Sequence, residues 1–115
     1  MITVYVRHYL NDEGIEYAMK EWFPLVMSYM CTQEGYVSFT NDAERNKDDC
    51  VNVTVSFEDE QAIENWIAHP EHDNVVNALD TFRTRSYWEA ARTEDQSLDR
   101  DSLEWVSIEA VGQRH

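Results

Sequence analysis

The most informative stretch of the chain is ENWIAHPEH, residues 64–72. Trp66 lies on the apolar side of a predicted amphipathic helix, and Pro70 interrupts that helix while suiting the first turn of another. His72 follows at the start of the second helix. This order places Trp66 and His72 near the junction of two short helices.

Four other segments alternate between apolar and polar residues, which is the pattern of half-buried strands. Asn11 or Asp12 can cap a helix after the first of them, and Pro24 should kink or restart that helix. Asp59 can cap the helix that carries Trp66. The polar run Asn41–Asp49 indicates a hairpin loop. The predicted strands are Ile2–Leu10, Tyr36–Thr40, Cys50–Phe57 and Thr84–Ala91.

The element order β-α-β-β-α-β predicts an α+β, ferredoxin-like fold with a four-stranded antiparallel sheet and helices on one face. Residues 1–92 form this domain, and residues 93–115 form a charged linker and a C-terminal strand or arm. The run Trp105-Val106-Ser107-Ile108 favours a strand, with a short helix as the alternative. Because its apolar residues need burial, we expect this tail to pack on a partner subunit.

The alternation also predicts which residues occupy the sheet face that the helices leave open. That face is rich in tyrosine, which suits a buried surface that still needs hydrogen bonds. A second copy of the chain could cover it in a two-fold dimer, and the alternative is a polar face exposed to solvent. Incomplete packing of two such sheets would enclose a polar pocket. The predicted members are Tyr5, Arg7, Tyr9, Tyr36, Ser38, Thr40, Asn52, Thr54, Ser56, Arg85 and Tyr87.

Composition narrows the possible partners and compartment. The 115 residues carry a formal net charge of −14, so nucleic acid and anionic membrane surfaces are poor partners. No apolar run approaches the roughly 20 residues of a membrane span, and the N-terminus lacks a signal-peptide pattern. Cys31 and Cys50 have no motif spacing and are expected to be reduced, buried thiols. These features predict a cytoplasmic protein.

The element order, Trp66, the His69-Pro70-Glu71-His72 stretch and the aromatic strand Arg85–Glu89 resemble the antibiotic biosynthesis monooxygenase family. The resemblance covers residues 1–92. It implies a homodimer whose sheets pack into a dimeric α/β barrel, with a pocket between sheet and helices or within the barrel. Some members of that family oxidise electron-rich aromatic compounds with molecular oxygen and no cofactor. Others bind small molecules or respond to stress without a known reaction.

The family resemblance implies roles for two residues, His72 as proton acceptor and Trp66 as a wall of the substrate site. Haem-degrading relatives carry an asparagine on the first strand and an iron-ligating histidine on the third helix. This chain has Arg7 and His8 at the first position and Val76 at the second. The pattern therefore disfavours haem degradation.

The remaining candidate residues come from the polar sheet face and have structural alternatives. Arg7 or Arg85 could hold an anionic group, or could form ion pairs across a dimer. Trp66 could be a core residue, and His72 could face water. The full set of predicted substrate-binding residues is Trp66, Tyr5, Arg7, Tyr36, Asn52, Arg85 and Tyr87.

The sequence gives no reason to expect a metal or a cofactor. His69 and His72 are three residues apart, but Pro70 breaks the helical spacing that would align their imidazoles on a metal. The chain has three glycines and no nucleotide-binding glycine motif, and it has no nucleophile motif around serine or cysteine. The candidate ligand is a small aromatic compound.

Overall fold

Five antiparallel strands form one open sheet in the structure, a computed structural model that describes residues 1–42, 50–95 and 97–110. The spatial order is β2-β3-β1-β4-β5. The first four strands have the ferredoxin-like arrangement that the element order predicts, which is confirmed. The fifth strand corrects the predicted count of four. The strands are β1 (Ile2–Tyr9), β2 (Tyr36–Asn41), β3 (Cys50–Phe57), β4 (Tyr87–Thr93) and β5 (Val106–Glu109).

The first helical layer runs from α1 (Asp12–Tyr17) through a π-helical turn (Ala18–Trp22) into α2 (Phe23–Met30). Asn11 caps α1, because its side-chain oxygen accepts a hydrogen bond from the Gly14 N–H at 2.8 Å. Pro24 lies in the first turn of α2 and has no N–H to donate to the preceding turn. The wider π turn comes directly before it, so the helix continues through the proline.

The second helical layer contains the residues that the sequence singled out. Asp59 caps α3 (Glu60–Ile67), and its carboxylate accepts from the Ala62 N–H at 2.9 Å. Pro70 opens α4 (Pro70–Asn77), as predicted. Ile67, at the end of α3, is 41 % exposed.

The core lies between these helices and the valine-rich side of the sheet. Val51, Val53 and Phe57 are at most 3 % exposed, and they pack with residues of both helical layers. The Trp22 indole N–H donates to the Val75 carbonyl oxygen at 2.7 Å, which links the first helical layer to α4. The sheet therefore has one apolar face under the helices and one polar face away from them.

Two strand predictions need correction. The chain bends at residues 84–86 after a bridge between Leu10 and Arg83, so β4 begins at Tyr87 and not at Thr84. A register shift between Tyr36 and Ser38 makes Tyr36 pair with Phe57. This bulge turns Tyr36 to the helical side, where its hydroxyl lies 3.5 Å from the Met27 sulfur. Of the predicted hairpin loop Asn41–Asp49, Asn41 is the last residue of β2, and the part after Asp42 lies outside the described residues.

The tail adds β5 to its own sheet, where it pairs with β4 from Tyr87–Glu109 to Ala90–Val106. The strand that the tail forms thus belongs to its own subunit, and its packing on a partner subunit stays a prediction. The segment before β5 (residues 97–105, called the strap) lies across the polar sheet face. Arg100 is 6 % exposed there and donates to Asp42 at 2.5 Å and Asn52 at 2.9 Å. Part of the polar face is thus covered by the chain itself.

No helix in the described part of the chain is long and apolar enough to cross a membrane. Cys31 is exposed and Cys50 is half-buried, so the expectation that both thiols are buried is wrong.

Candidate functional site

A cavity of about 620 Å³ lies between α3, α4 and the apolar face of β1, β3, β4 and β5. This volume falls within the range of about 300–1,000 Å³ that small-molecule sites occupy. Its wall is mainly aliphatic and aromatic, with polar groups at a few positions. The lining residues are Val4, Val6, Val55, Phe57, Ile63, Trp66, Ile67, His72, Asp73, Val76, Asn77, Trp88, Ala90, Ala91, Arg92, Glu104, Val106, Ile108 and Glu109.

Trp66 and His72 come together at this cavity. The two rings are 5.5 Å apart between centroids and nearly perpendicular, at 85°. Trp66 is 6 % exposed and belongs to the core as well as to the cavity wall, so both interpretations of this residue describe part of its environment. The His72 Nδ1 lies 3.2 Å from the Asp73 carboxylate. Nδ1 is thus directed at Asp73, and Nε2 is the other polar atom of the imidazole.

His69 has a different position from His72. Its Nδ1 accepts a hydrogen bond from the Glu71 N–H at 3.0 Å, so the imidazole caps the N-terminus of α4. A side chain that caps a helix satisfies one of the backbone N–H groups that the first turn leaves unpaired. Within residues 1–42, 50–95 and 97–110, no group of three or more His, Cys, Asp or Glu side chains could hold a metal ion.

His8 is a buried histidine close to the cavity and is not among the site residues predicted from the sequence. It is 2 % exposed, and its ring lies 5.2 Å from Trp88 and 5.5 Å from Trp22. Burial, and then the charges of Arg83 and His72, lower the pKa of His8 to about 3. The His8 imidazole is therefore neutral near pH 7.

Arg83 holds His8 in one tautomer. The Arg83 side chain has no solvent-exposed surface, and its guanidinium contacts the His8 Nδ1 at 3.2 Å. The same group binds the Asp80 carboxylate at 2.7 Å and the Val76 carbonyl oxygen at 3.1 Å. Because a guanidinium only donates, Nδ1 must accept and the His8 proton resides on Nε2.

The signal for His8 was present in the alternation of β1. Ile2, Val4 and Val6 share the apolar face, and His8 is the next residue on it. A histidine that continues a row of buried valines must find a partner inside the protein. That partner, Arg83, is distant in sequence and lies outside any regular element, so the pair was not predictable from spacing.

Acidic side chains reach the cavity from both of its sides. Asp73 is in the first turn of α4, and Glu104 lies at the end of the strap, two residues before β5. Among the described lining residues the one guanidinium is that of Arg92, on β4. It binds Glu60 at 2.7 Å and Glu64 at 3.2 Å on α3, which offsets its charge.

The remaining predicted site residues do not reach the cavity. Tyr5 and Arg7 pair with Thr54 and Asn52 on the polar side of β1 and β3, under the strap. The guanidinium of Arg7 stacks 3.7 Å from the Trp105 ring. Tyr36 lies on the helical side but is absent from the cavity wall.

Arg85 and Tyr87 form a separate cluster with Tyr9 and Glu89 near the ends of β1 and β4. The Arg85 guanidinium donates to the Tyr87 hydroxyl at 3.0 Å and stacks 3.8 Å from the Tyr9 ring. The Tyr9 hydroxyl donates to the Glu89 carboxylate. Burial, and then this hydrogen bond, raise the pKa of Tyr9. Neither Arg7 nor Arg85 is therefore positioned to contact a ligand in the cavity.

Solved structures with a similar fold include an oxygenase. No family model and no curated protein matches the sequence at a significant level. SnoaB, a cofactor-independent oxygenase from Streptomyces nogalater, has a TM-score of 0.66 at 20 % identity, over 84 % of this chain and 94 % of that one.

Two further structures show the same fold with lower identity. A structure described as an antibiotic biosynthesis monooxygenase has a TM-score of 0.66 at 8 % identity, over 86 % of this chain and all (100 %) of that one. A conserved protein from Methanosarcina mazei Go1 has a TM-score of 0.72 at 13 % identity, over 83 % of this chain and 92 % of the other. The chain therefore has the fold seen in antibiotic biosynthesis monooxygenase structures.

Proposed function

We propose that this protein is an antibiotic biosynthesis monooxygenase-like homodimer that oxidises a small, electron-rich aromatic compound with molecular oxygen and no cofactor. The observation that carries the proposal is the cavity with Trp66 and Trp88 in its wall and His72 at its edge. The fold shared with the oxygenase SnoaB supports it.

The shape and chemistry of the wall favour a flat, largely apolar ligand. Val4, Val6, Val55 and Phe57 supply an aliphatic and aromatic floor from the sheet, and α3 supplies Trp66. Aromatic pairs gain stability from offset or edge-to-face contacts beyond the surface they bury. A phenolic compound of two or three fused rings would use such contacts and would leave its hydroxyl for a polar group at the edge.

His72 would accept the phenolic proton at Nε2, since Nδ1 faces Asp73. The electron-rich ring carbon of the phenolate then forms a C–O bond to oxygen. Loss of water from the resulting hydroperoxide gives a quinone. A naphthol and one oxygen molecule thus yield a naphthoquinone and one water, and the substrate supplies all four electrons.

The geometry changes the expected source of anion stabilisation. Arg7 and Arg85 were the candidates, but both lie on the far side of the sheet. In this proposal the imidazolium of His72, formed by the proton transfer, is the positive group next to the phenolate. Trp66 forms the apolar wall that orients the ring.

A second candidate function is non-catalytic binding of a small molecule. The charge of the cavity favours this alternative, because Arg92 is offset by Glu60 and Glu64 while Asp73 and Glu104 add negative charge. Such surroundings oppose the formation of a phenolate. A protein that only binds its ligand needs no stabilised anion.

Oxygen consumption separates the two functions. Wild-type protein should consume oxygen with naphthol or quinol substrates in chelator-treated buffer, with a quinone spectrum appearing at the same rate. His72→Ala should lower turnover by about 10²–10⁴-fold, the usual worth of general-base assistance. His69→Asn is the matched control and should retain activity, because it removes an imidazole while its side-chain oxygen can still accept from the Glu71 N–H and cap α4. Full activity of His72→Ala would exclude the proposed base.

Trp66→Phe tests the role of the cavity wall. The smaller ring should weaken ligand binding, seen as a higher KM, while kcat changes less. A variant that mainly loses thermal stability, with KM unchanged, would show that Trp66 acts as a core residue. Ligand binding without oxygen consumption for any phenol tested would favour the non-catalytic function.

A further inference from the structure

The carboxylates around the cavity set the charge of the ligand that it can hold. We propose that the cavity selects planar aromatic ligands that carry a positive charge and rejects isosteric carboxylates. This inference rests on the proposed function only in using the same cavity as the ligand site. It names the charge class of the ligand, which neither the fold nor the oxygenase chemistry specifies.

Negative charge approaches the cavity from two independent elements. Asp73 comes from α4 and is close to His72, whereas Glu104 comes from the end of the strap on the opposite side. A ligand in the cavity would therefore have acidic groups on both sides of it, and no movement of one element would remove them all.

The cations near the cavity are already matched by carboxylates. Arg92 binds both Glu60 and Glu64. Arg83 is buried behind the wall and binds Asp80, and it points to His8 rather than into the cavity. His8 itself is neutral near pH 7 because burial lowers its pKa. Within the described residues, Asp73 and Glu104 therefore add net negative charge at the edge of the cavity.

The wall also suits a cation chemically. Trp66 and Trp88 both line the cavity, and indole is the side chain whose ring face attracts cations most strongly. An ammonium group beside an aromatic ring system would thus have two indole rings in the wall and carboxylates at the edge. The overall charge of −14 adds a longer-range attraction that salt would screen.

Three ligands with one ring system and one side-arm length isolate the charge effect. They are naphthylmethylamine, which is cationic at neutral pH, naphthalenemethanol, which is uncharged, and naphthoate, which is anionic. Calorimetry or quenching of tryptophan fluorescence gives each Kd at low ionic strength. We expect the amine to bind about tenfold or more tightly than the acid, as expected for one charge near partly exposed carboxylates, with the alcohol between them.

Two double variants separate the local charges from the overall charge. Asp73→Asn with Glu104→Gln should bring the three Kd values together. Glu21→Gln with Glu34→Gln removes the same total charge at exposed positions outside the cavity wall, so the order of affinities should survive. If both double variants reduce the preference equally, the selectivity belongs to the net charge and the proposal is wrong.

Ala90→Phe shows whether the ligands occupy the cavity. Ala90 lines it from β4, and a larger side chain there should abolish binding of the amine and the alcohol alike. Equal affinities for the three ligands, all lost in Ala90→Phe, would overturn the charge selection but leave the cavity as a ligand site. Binding that Ala90→Phe does not affect, or no binding at all, would overturn both the charge selection and the proposed ligand site.

Discussion

His8 stays neutral inside the protein because its imidazole is buried beside the Arg83 guanidinium, and this makes the stability of the fold depend on pH. The unfolded chain binds a proton at His8 below about pH 6.5, whereas the folded protein does so only near pH 3. Between these values the unfolded state holds more protons. The free energy of unfolding therefore falls as pH falls, by up to about 1.4 kcal/mol per pH unit from this group.

His8→Gln tests this linkage. Glutamine can still accept a hydrogen bond from Arg83 through its side-chain oxygen, but it has no proton to gain. Urea unfolding of both proteins should give a constant difference in free energy above about pH 6.5. Below that pH the wild type should lose stability faster than the variant. Parallel curves for the two proteins down to pH 4 would contradict the assigned pKa of His8.

The sequence predicted the role of a residue when its contact partner lies a few residues away in the chain. Asn11, Asp59 and Pro70 were placed correctly because caps and first-turn prolines act within a few residues of the chain. Trp66 and His72 lie on either side of one short helix junction, so their contact was also predictable. His8 and Arg83 are 75 residues apart, and only the fold brings them together.

At the scale of the elements, Gly35 decides how β2 starts beneath α3. Its φ of +82° lies in the left-handed region, and a Cβ there would lie 2.6 Å from the Cβ of Ala62. Gly35→Ala should therefore lower the free energy of unfolding by about 1–2 kcal/mol for the backbone and by a further steric amount.

A double-mutant cycle separates these two costs. Ala62→Gly removes the atom that a new Cβ would meet, although it also weakens α3 by about 1 kcal/mol. Gly35→Ala should then cost less in the Ala62→Gly background than in the wild type, and the remaining cost reflects the backbone alone. Equal costs in both backgrounds would show that the close contact between Gly35 and Ala62 does not matter.

Strand prediction was correct where apolar and polar residues alternate without interruption. It was wrong where the register of strand pairing shifts. β3 has the predicted ends, Cys50 and Phe57, because every second residue is apolar throughout. The bulge in β2 reverses the side of Tyr36, and no property of the residue itself announces that shift. The tail was read as a strand correctly, but its partner, β4, depends on how the strap crosses the sheet.

For the whole molecule, the strap alters the surface through which a dimer was predicted to form. It covers Asn52 and contacts Tyr5 and Arg7, whereas Arg85, Tyr87 and Glu89 lie beyond these contacts. The homodimer remains a prediction and would use this second part of the polar face. Sedimentation velocity should show a dimer at micromolar concentration, and Arg85→Glu should shift it toward monomer.

Lys20→Glu is the matched control for that charge reversal. Lys20 lies in the π turn on the helical side and bonds to Glu16, away from the polar face. This variant should sediment as the wild type does. A monomeric wild type, or equal weakening by the two reversals, would exclude a dimer through Arg85.

The strap and β5 together contact both faces of the sheet. Arg100 holds the strap on the polar face, and β5, which follows it, completes the cavity wall on the apolar face. Arg100→Met would remove the charged partner of the partly buried Asp42 carboxylate and one donor to the Asn52 side-chain oxygen. We expect the free energy of unfolding to fall by about 1–3 kcal/mol, the cost of removing charge-assisted hydrogen bonds from groups that are largely removed from water.

Ligand affinity should fall in Arg100→Met as well, since Val106 and Ile108 follow the anchor in the chain and line the cavity. Lys20→Met breaks an exposed ion pair far from the strap and should change neither property appreciably. Chemical unfolding and calorimetry with the aromatic ligand measure the two effects on the same samples. If Arg100→Met lowers stability but leaves ligand affinity intact, β5 holds the cavity wall through its pairing with β4 alone, and the anchor on the polar face serves only the fold.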